Sequence, residues 1–211
     1  MSERLPDYAE LHCLSNFSFL RGASHAEELV ERASALGYAA LAITDECSFA
    51  GIVRAHVAAK RVGLKLIVGT ELVLADGMKL VLLAMNRAGY GNLSAIVSLG
   101  RRRADKGTYC LTRGDLARGI PDCLALWIPA THAHAEDAVW LAGAFPGRLW
   151  IAFERHLRPD DQERLAALRQ LAAETGLPLV AAGDVHMHVR SRRPLQDVLT
   201  ALRQKCPVDA A

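Results

Sequence analysis

The fold is decided by residues 24–68, SHAEELVERASALGYAALAITDECSFAGIVRAHVAAKRVGLKLIV, because the spacing of apolar residues alternates between two patterns there. Apolar residues recur at helical spacing in two segments, residues 25–36 and 49–62. Short, mainly apolar runs, which are typical of buried strands, occupy residues 39–44 and 65–68. This alternation predicts repeated βα units and a largely parallel sheet.

The ends of these helices carry their own signals. Ser24 followed by Glu27 fits a capping box, which predicts that the first helix begins at residue 25. Gly37 and Gly63 follow the two helical segments, and glycine is the usual residue just beyond a helix C-terminus. Both boundaries support the alternation.

The same alternation extends over the rest of the chain. We expect further helices near residues 90–99, 134–144, 160–175 and 193–204. We expect further strands near residues 123–128, 149–153 and 178–182. Ala75-Asp76-Gly77 lies between the apolar runs 71–74 and 79–84 and predicts a hairpin, so one antiparallel pair interrupts the parallel pattern. The prediction is a single α/β domain over residues 1–211 with six or seven strands.

Composition limits the classes of function. The chain has 211 residues, 51% of them hydrophobic, which is enough for a large core. A net charge of +2 excludes a surface that attracts nucleic acid as a whole, so such a contact needs a local patch. The polar, Gly-rich segment 100–119 is predicted to be a surface loop, and its basic residues are the best candidate patch: Arg101, Arg102, Arg103 and Lys106.

Cysteine usage and apolar run lengths indicate a cytoplasmic protein. The five cysteines lack Cys-x-x-Cys spacing, so we expect reduced thiols and neither disulfides nor a thiolate zinc site. Apolar runs fall far short of the ~20 residues of a membrane helix, and residues 1–7 are too polar for a signal peptide.

Polar residues of one chemical kind follow the predicted strands. The C-terminal strand ends are where βα-barrels place their functional groups. The residues that follow the apolar runs are His12, Asp45, Glu46, Glu71, Glu154, His156, Asp184 and His186. Imidazoles and carboxylates are ligands for zinc, manganese or iron, so the sequence predicts a polar site of metal-binding type.

Four segments carry a resemblance to a known family: ELHCLSNFSFLRG at 10–22, AITDE at 42–46, GTE at 69–71 and GDVH at 183–186. Together they resemble the polymerase and histidinol phosphatase (PHP) domain. More narrowly, the chain is similar to the PHP domain of error-prone bacterial C-family DNA polymerases, which are related to the polymerase III alpha subunit. The resemblance implies a distorted seven-stranded βα-barrel whose mouth can hold a three-metal cluster for phosphoester hydrolysis.

The chain departs from the family's metal-binding pattern at four positions. Leu14 replaces the second imidazole of the opening His-x-His, and Arg21 stands where metal-binding members have Asp. Glu46 replaces the His of Thr-Asp-His, and Lys79 replaces a His at the start of a strand. By this resemblance, five residues keep a ligand type: His12, Glu71, His156, Asp184 and His186. Glu46 is a different but competent ligand, and Asp45 is expected to orient its neighbours.

Arg21 and Lys79 bring fixed positive charge to positions of the implied metal site. We expect them to form ion pairs with Glu46, Glu71 or Asp184 and to take over the neutralising role of the lost metals. The alternative is one residual zinc or manganese ion on His12, Glu71 and Asp184, with His156 nearby.

Three functions follow from this hypothesis and its alternatives. The first is a non-catalytic PHP domain, a piece of a longer error-prone polymerase. It would pack against the polymerase body through an exposed apolar patch and meet DNA only through the parent enzyme. The second is a metal-dependent phosphoesterase or 3′–5′ proofreading nuclease. The third is a regulatory module that binds phosphate through Arg21 and Lys79.

A further pair, His132 and His134, imitates a metal site and is expected at the surface.

Overall fold

The computed structural model describes residues 7–130 and 135–210. Strands and helices alternate over most of this part of the chain. The strands are β1 (Ala9–Glu10), β2 (Ala40–Ile43), β3 (Lys65–Val73), β4 (Lys79–Ala84), β5 (Cys123–Ile128), β6 (Leu149–Glu154) and β7 (Leu179–Ala182). The helices are α1 (Ala26–Ala35), α2 (Ile52–Val62), α3 (Arg87–Arg102), α4 (Arg113–Leu116), α5 (Ala135–Ala144), α6 (Asp161–Thr175) and α7 (Arg193–Gln204). The predicted pair His132 and His134 lies outside the described residues.

The residues cluster in two compact units. Unit 1 comprises Met1–Ile67 and Asp184–Ala211. In it, β1 runs parallel to β2, a parallel bridge joins Cys13 to Val185, and α1 packs against α2. All four residues of β2 are buried, because this short strand consists only of apolar residues in the core of the unit.

Unit 2 comprises Val68–Gly183 and holds the antiparallel part of the fold. The second half of β3 pairs antiparallel with β4, and β4 pairs antiparallel with β5. β5, β6 and β7 then run parallel. The core of this unit is aliphatic and aromatic, and its fully buried side chains include Leu72, Leu80, Leu82, Leu141, Phe145 and Ile151.

Most predicted elements are confirmed, several to the residue. The predicted helix at 193–204 and the strand at 123–128 have the observed bounds, and α2 ends at Gly63 in the left-handed conformation. The hairpin is present, with Gly77 at φ 89° in its turn. One difference is that β3 joins two predicted strands. Gly69 and Thr70 pair with Leu83 and Leu82 of β4, so the antiparallel ladder holds the chain extended where a break was expected.

Two local predictions are corrected. The N-cap of α1 is His25, whose backbone N–H donates to Glu28 Oε2 at 2.8 Å, so the predicted box of Ser24 and Glu27 is displaced by one residue. The Ser24 hydroxyl instead accepts the backbone N–H of His188 at 2.9 Å, because a distant segment packs there.

The segment 100–119 is more ordered than a surface loop. It contains the end of α3 and the short helix α4. Leu111 and Leu116 are fully buried, so these two apolar side chains anchor the segment to the core. The basic residues remain outside: Arg103 pairs with Asp115 at 2.6 Å, and Lys106 is exposed.

Two expectations about cysteines and membranes can be compared with the described residues. No disulfide joins any of the five cysteines. Across residues 7–130 and 135–210, no helix combines the length and the apolar character that a membrane crossing requires.

Two glycines of α3 give a test of the packing in unit 2. A Cβ on Gly89 would lie 2.1 Å from the carbonyl oxygen of Asp122, which is itself fixed by the N–H of Met85. A Cβ on Gly91 would meet no atom within 4 Å. We expect Gly89→Ala to lower the free energy of unfolding by about 2 kcal/mol. Gly91→Ala should raise it by up to about 1 kcal/mol, because alanine favours helix.

Urea unfolding followed by circular dichroism measures both variants. Equal changes in the two variants would show that α3 does not approach the Asp122 carbonyl as described.

Candidate metal centre

The loop that follows β1 in unit 1 is built on the buried carboxylate of Asp45. Its Oδ1 accepts hydrogen bonds from the Ser15 N–H at 2.8 Å and the Ser18 hydroxyl at 2.7 Å. Its Oδ2 accepts the Ser15 hydroxyl at 2.7 Å. Burial raises the pKa of Asp45, and the serine donors oppose that shift by stabilising the charged form. Asp45 therefore holds the loop in place.

Arg21 and Glu46 form an ion pair on this loop. Arg21 Nη1 lies 2.8 Å from Glu46 Oε2, and the two side chains are 13% and 29% exposed. Ser18 fixes both partners, since its hydroxyl accepts the Glu46 N–H and its carbonyl accepts the Arg21 N–H, each at 2.9 Å. The Arg21 guanidinium thus forms an ion pair with Glu46, a carboxylate that was predicted to be a possible metal ligand.

Three further predicted ligands come together in unit 1. His12 is fully buried, and its Nδ1 lies 3.5 Å from Asp184 Oδ1. The same oxygen lies 3.0 Å from His186 Nε2. The backbone brings these segments side by side, because the Val185 N–H donates to the His12 carbonyl at 2.9 Å. The result is a carboxylate shared between two imidazoles.

Asp184 adopts an uncommon backbone conformation in this cluster. Its φ of 48° lies in the left-handed region, which aspartate tolerates better than most side chains. This turn follows shortly after β7 and brings the Asp184 carboxylate onto the imidazole of His186, two residues further along the chain. A motif of the form Gly-Asp-x-His can therefore converge without intervening secondary structure.

In unit 2, Glu71 and Lys79 lie on adjacent strands. Glu71 is opposite Val81 and Lys79 is opposite Val73, so the two side chains are diagonal neighbours on one face of the hairpin. Lys79 Nζ lies 3.0 Å from Glu71 Oε2. Glu71 has no solvent exposure, whereas Lys79 is 23% exposed. Glu71, a second predicted metal ligand, is therefore paired with the positive charge of Lys79.

The end of β6 in unit 2 carries the remaining predicted ligand. His156 Nε2 lies 3.8 Å from Glu154 Oε2, which is an ion-pair distance and too long for a hydrogen bond. Glu154 is 3% exposed and His156 is 28% exposed. Glu154 belongs to the polar set that follows the predicted strands, but the resemblance did not assign it as a ligand.

Glu10 was not among the site residues predicted from the sequence, and it is only 2% exposed. Its two carboxylate oxygens accept the Tyr8 hydroxyl and the His12 N–H, each at 2.9 Å. Burial, followed by the adjacent Glu10 charge, raises the pKa of Tyr8. Glu10 thereby fixes the backbone from which the buried His12 imidazole projects, and the spacing Glu-x-His was the available signal.

The donors can be tested against the metals that the resemblance implies. Leu14 is fully buried and offers no ligand atom, and Glu46 and Glu71 each lie within 3.0 Å of a cation. These features do not fit a multinuclear cluster, because each cation would repel the metal that its carboxylate should bind. His12 and Asp184 keep donor atoms of a type suited to zinc or manganese, and these atoms lie 3.5 Å apart.

The sequence of residues 10–175 matches the family described as PHP domain. The chain is 64% identical over 209 residues to an error-prone DNA polymerase from Dechloromonas aromatica, covering 97% of this chain and 20% of that protein. It is 57% identical over 202 residues to an error-prone DNA polymerase from Methylococcus capsulatus, with coverages of 95% and 19%. The chain thus spans about a fifth of the length of these relatives.

Solved structures share the fold at low identity. A two-domain protein from Bacteroides vulgatus with a predicted PHP-like metal-dependent phosphoesterase superposes with a TM-score of 0.61 at 14% identity, covering 90% of this chain and 57% of that one. An amidohydrolase from Chromobacterium violaceum gives 0.60 at 18% identity, with coverages of 85% and 87%. These likenesses confirm the expected fold class, a distorted βα-barrel. The chain belongs to the PHP domain family.

Proposed function

We propose that this chain is a single PHP domain of an error-prone DNA polymerase and that it acts as a structural platform without phosphoesterase activity. The relatives named above support the polymerase context. The parent enzyme would add deoxynucleotides across damaged templates during DNA repair and mutagenesis in the cytoplasm. This domain would pack against the polymerase body, and DNA would be bound by the rest of the parent chain.

The observation that carries the proposal is the pair of fixed cations on former ligand positions. Arg21 lies on Glu46, and Lys79 lies on the buried Glu71. At ~4 Å two unit charges interact by about 4 kcal/mol at an effective dielectric of 20, and a divalent ion doubles that repulsion. The ion pairs therefore neutralise the carboxylates and disfavour a metal at the same positions.

The loss of the metals removes the chemistry of the family. A bound metal supplies a nucleophilic water and polarises the phosphoryl oxygens. Arg21 and Lys79 can bind an anion but cannot generate such a nucleophile, because both side chains are donors without a lone pair when protonated. The residues that remain act on structure, by balancing buried charge and by fixing the loop that follows β1.

A second function, a metal-dependent phosphoesterase or 3′–5′ nuclease, is favoured by one observation. His12, Asp184 and His186 retain two imidazoles and a carboxylate in contact. Imidazole and carboxylate are the ligand types of catalytic zinc sites. The following measurement separates the two functions.

Metal content tests the platform directly. We expect the chain, purified without chelator or histidine tag, to hold less than about one divalent ion per chain by elemental analysis. The variant Arg21→Asp/Lys79→His restores residue types that metal-binding members carry. It should bind more zinc or manganese than the parent chain, because two repelling charges become ligands.

Turnover of a generic phosphoester in manganese or zinc provides the opposing outcome. Metal-dependent hydrolysis by the unaltered chain, abolished by Asp184→Asn, would overturn the platform and establish the phosphoesterase. Circular dichroism and thermal unfolding of each variant control for loss of the fold.

The ion pair in unit 2 makes a prediction about stability. Lys79→Met leaves the buried Glu71 without this cation, and we expect the free energy of unfolding to fall by about 3–5 kcal/mol. Lys79→Met/Glu71→Leu should recover most of that loss, because the uncompensated charge is then absent. Urea unfolding at neutral pH measures both.

The exposed pair of Arg61 and Glu31 is the matched control, since its side chains are 65% and 50% exposed. Arg61→Met should cost less than about 1 kcal/mol. A loss of the same size in Lys79→Met would show that Lys79 does not compensate a buried charge.

A further inference from the structure

Helix α7 in unit 1 has an apolar stripe that faces solvent. Leu195, Val198 and Leu202 lie at positions i, i+3 and i+7, and they are 40%, 41% and 59% exposed. Of the residues described in this helix, Ala201 alone is buried. The sequence of α7 is strongly amphipathic, and such a helix normally buries its apolar face against another element. The stripe is therefore a surface that requires a partner.

A groove lies beside the stripe and extends the exposed apolar surface. It has a volume of about 240 Å³, and its apolar walls include Phe19 and Leu20 of the loop after β1 and Leu195 and Leu199 of α7. Phe19 is 83% exposed, which is unusual for a phenylalanine. The stripe and the groove together form one continuous apolar surface, called here the α7 surface and made of Phe19, Leu20, Leu195, Val198, Leu199 and Leu202.

The loop that presents Phe19 is held rigidly. Leu20 has a φ of 58°, a left-handed conformation that is costly for leucine. The backbone N–H of Gly22 donates to the Ser18 carbonyl at 3.2 Å, and a Cβ on Gly22 would lie 2.1 Å from the Ser15 carbonyl oxygen. Strain retained in an exposed turn indicates that the position of Phe19 is useful. A rigid aromatic residue at the edge of a groove is typical of an interface anchor.

The border of the α7 surface is basic. The segment 190–205 contains one acidic residue, Asp197, which is 3.7 Å from Arg193. Its exposed basic residues are Arg190, Arg193, Arg203 and Lys205. A complementary partner needs an apolar face with acidic edges. A second copy of this chain is disfavoured, because it would place a basic border against a basic border.

We propose that the α7 surface binds an amphipathic helix with acidic edges, supplied by the polypeptide that accompanies this domain in a full-length polymerase. This rests on the proposed polymerase context. The spacing i, i+3, i+4 and i+7 of the α7 leucines and valine is the one by which helices pack against helices. About four-fifths of the length of each relative lies outside the matched region, so the parent chain has ample sequence to provide such a helix.

Hydrogen–deuterium exchange of Arg193–Gln204 tests the proposal. The 211-residue chain is compared with a chimeric polymerase. In the chimera, the whole 211-residue chain replaces the matching region of the Dechloromonas aromatica polymerase, to which it is 64% identical. Exchange in α7 should be at least roughly tenfold slower in the polymerase, because a bound partner suppresses local opening. Val198→Glu/Leu202→Glu should remove that protection and leave the thermal unfolding of the 211-residue chain unchanged, since both side chains are exposed.

Val53→Glu is the matched control, because Val53 is an exposed valine on α2 in the same unit. It should leave the exchange of α7 unchanged in both proteins. Three results would overturn the proposal: equal exchange of α7 in both proteins, protection in the 211-residue chain that grows with concentration, or protection only by vesicles containing phosphatidylserine. The second result indicates self-association, and the third a membrane surface.

The outcome is separate from that of the proposed function. Metal analysis and the phosphoester assay are performed on the same preparations. If amide exchange in α7 is not slowed and the domain is metal-free and inactive, only the proposal of a docking helix is contradicted. If the domain shows metal-dependent turnover, the proposal of a structural platform is contradicted, whatever the rate of exchange in α7.

Discussion

Glu71 has no solvent exposure, and its charge is balanced by Lys79 Nζ at 3.0 Å. A buried carboxylate needs a cation or hydrogen-bond donors, since an unpaired ion in the core costs several kcal/mol. In a metal-binding relative the cation can be an ion taken from solution. Here it is part of the chain and arrives with the hairpin of β3 and β4. The cation that lies on Glu71 in this structure is therefore part of the chain itself.

The same principle organises the loop after β1. Arg21 balances Glu46, and Ser18 fixes both partners while also donating to the buried Asp45. The loop after β1 is therefore held in place by its own ion pair and hydrogen bonds. That rigidity also presents Phe19 at the edge of the α7 surface. The proposed platform role and the proposed docking role are compatible, because the same hydrogen bonds stabilise the loop in both.

Sequence reasoning was most accurate where the pattern was long and regular. The bounds of α7 and β5 followed from apolar periodicity and from the residues at their ends. It was wrong where a distant segment competed for a local group. Ser24 has the sequence of a helix cap, yet its hydroxyl bonds to His188, which is 164 residues away. The segment 100–119 is polar overall, but Leu111 and Leu116 tie it to a core that composition does not reveal.

Some features of the candidate site could likewise be predicted from the sequence, and others could not. Residue type and order were sufficient to predict the fold class, and the resemblance predicted Arg21, Leu14 and Lys79 at ligand positions of the family. The three-dimensional packing was needed to show that Arg21 pairs with Glu46, that Lys79 pairs with Glu71, and that His12 and His186 both contact Asp184. These partners depend on strand register and on a left-handed turn, which are fixed by the packing of the whole chain and not by the residues nearby.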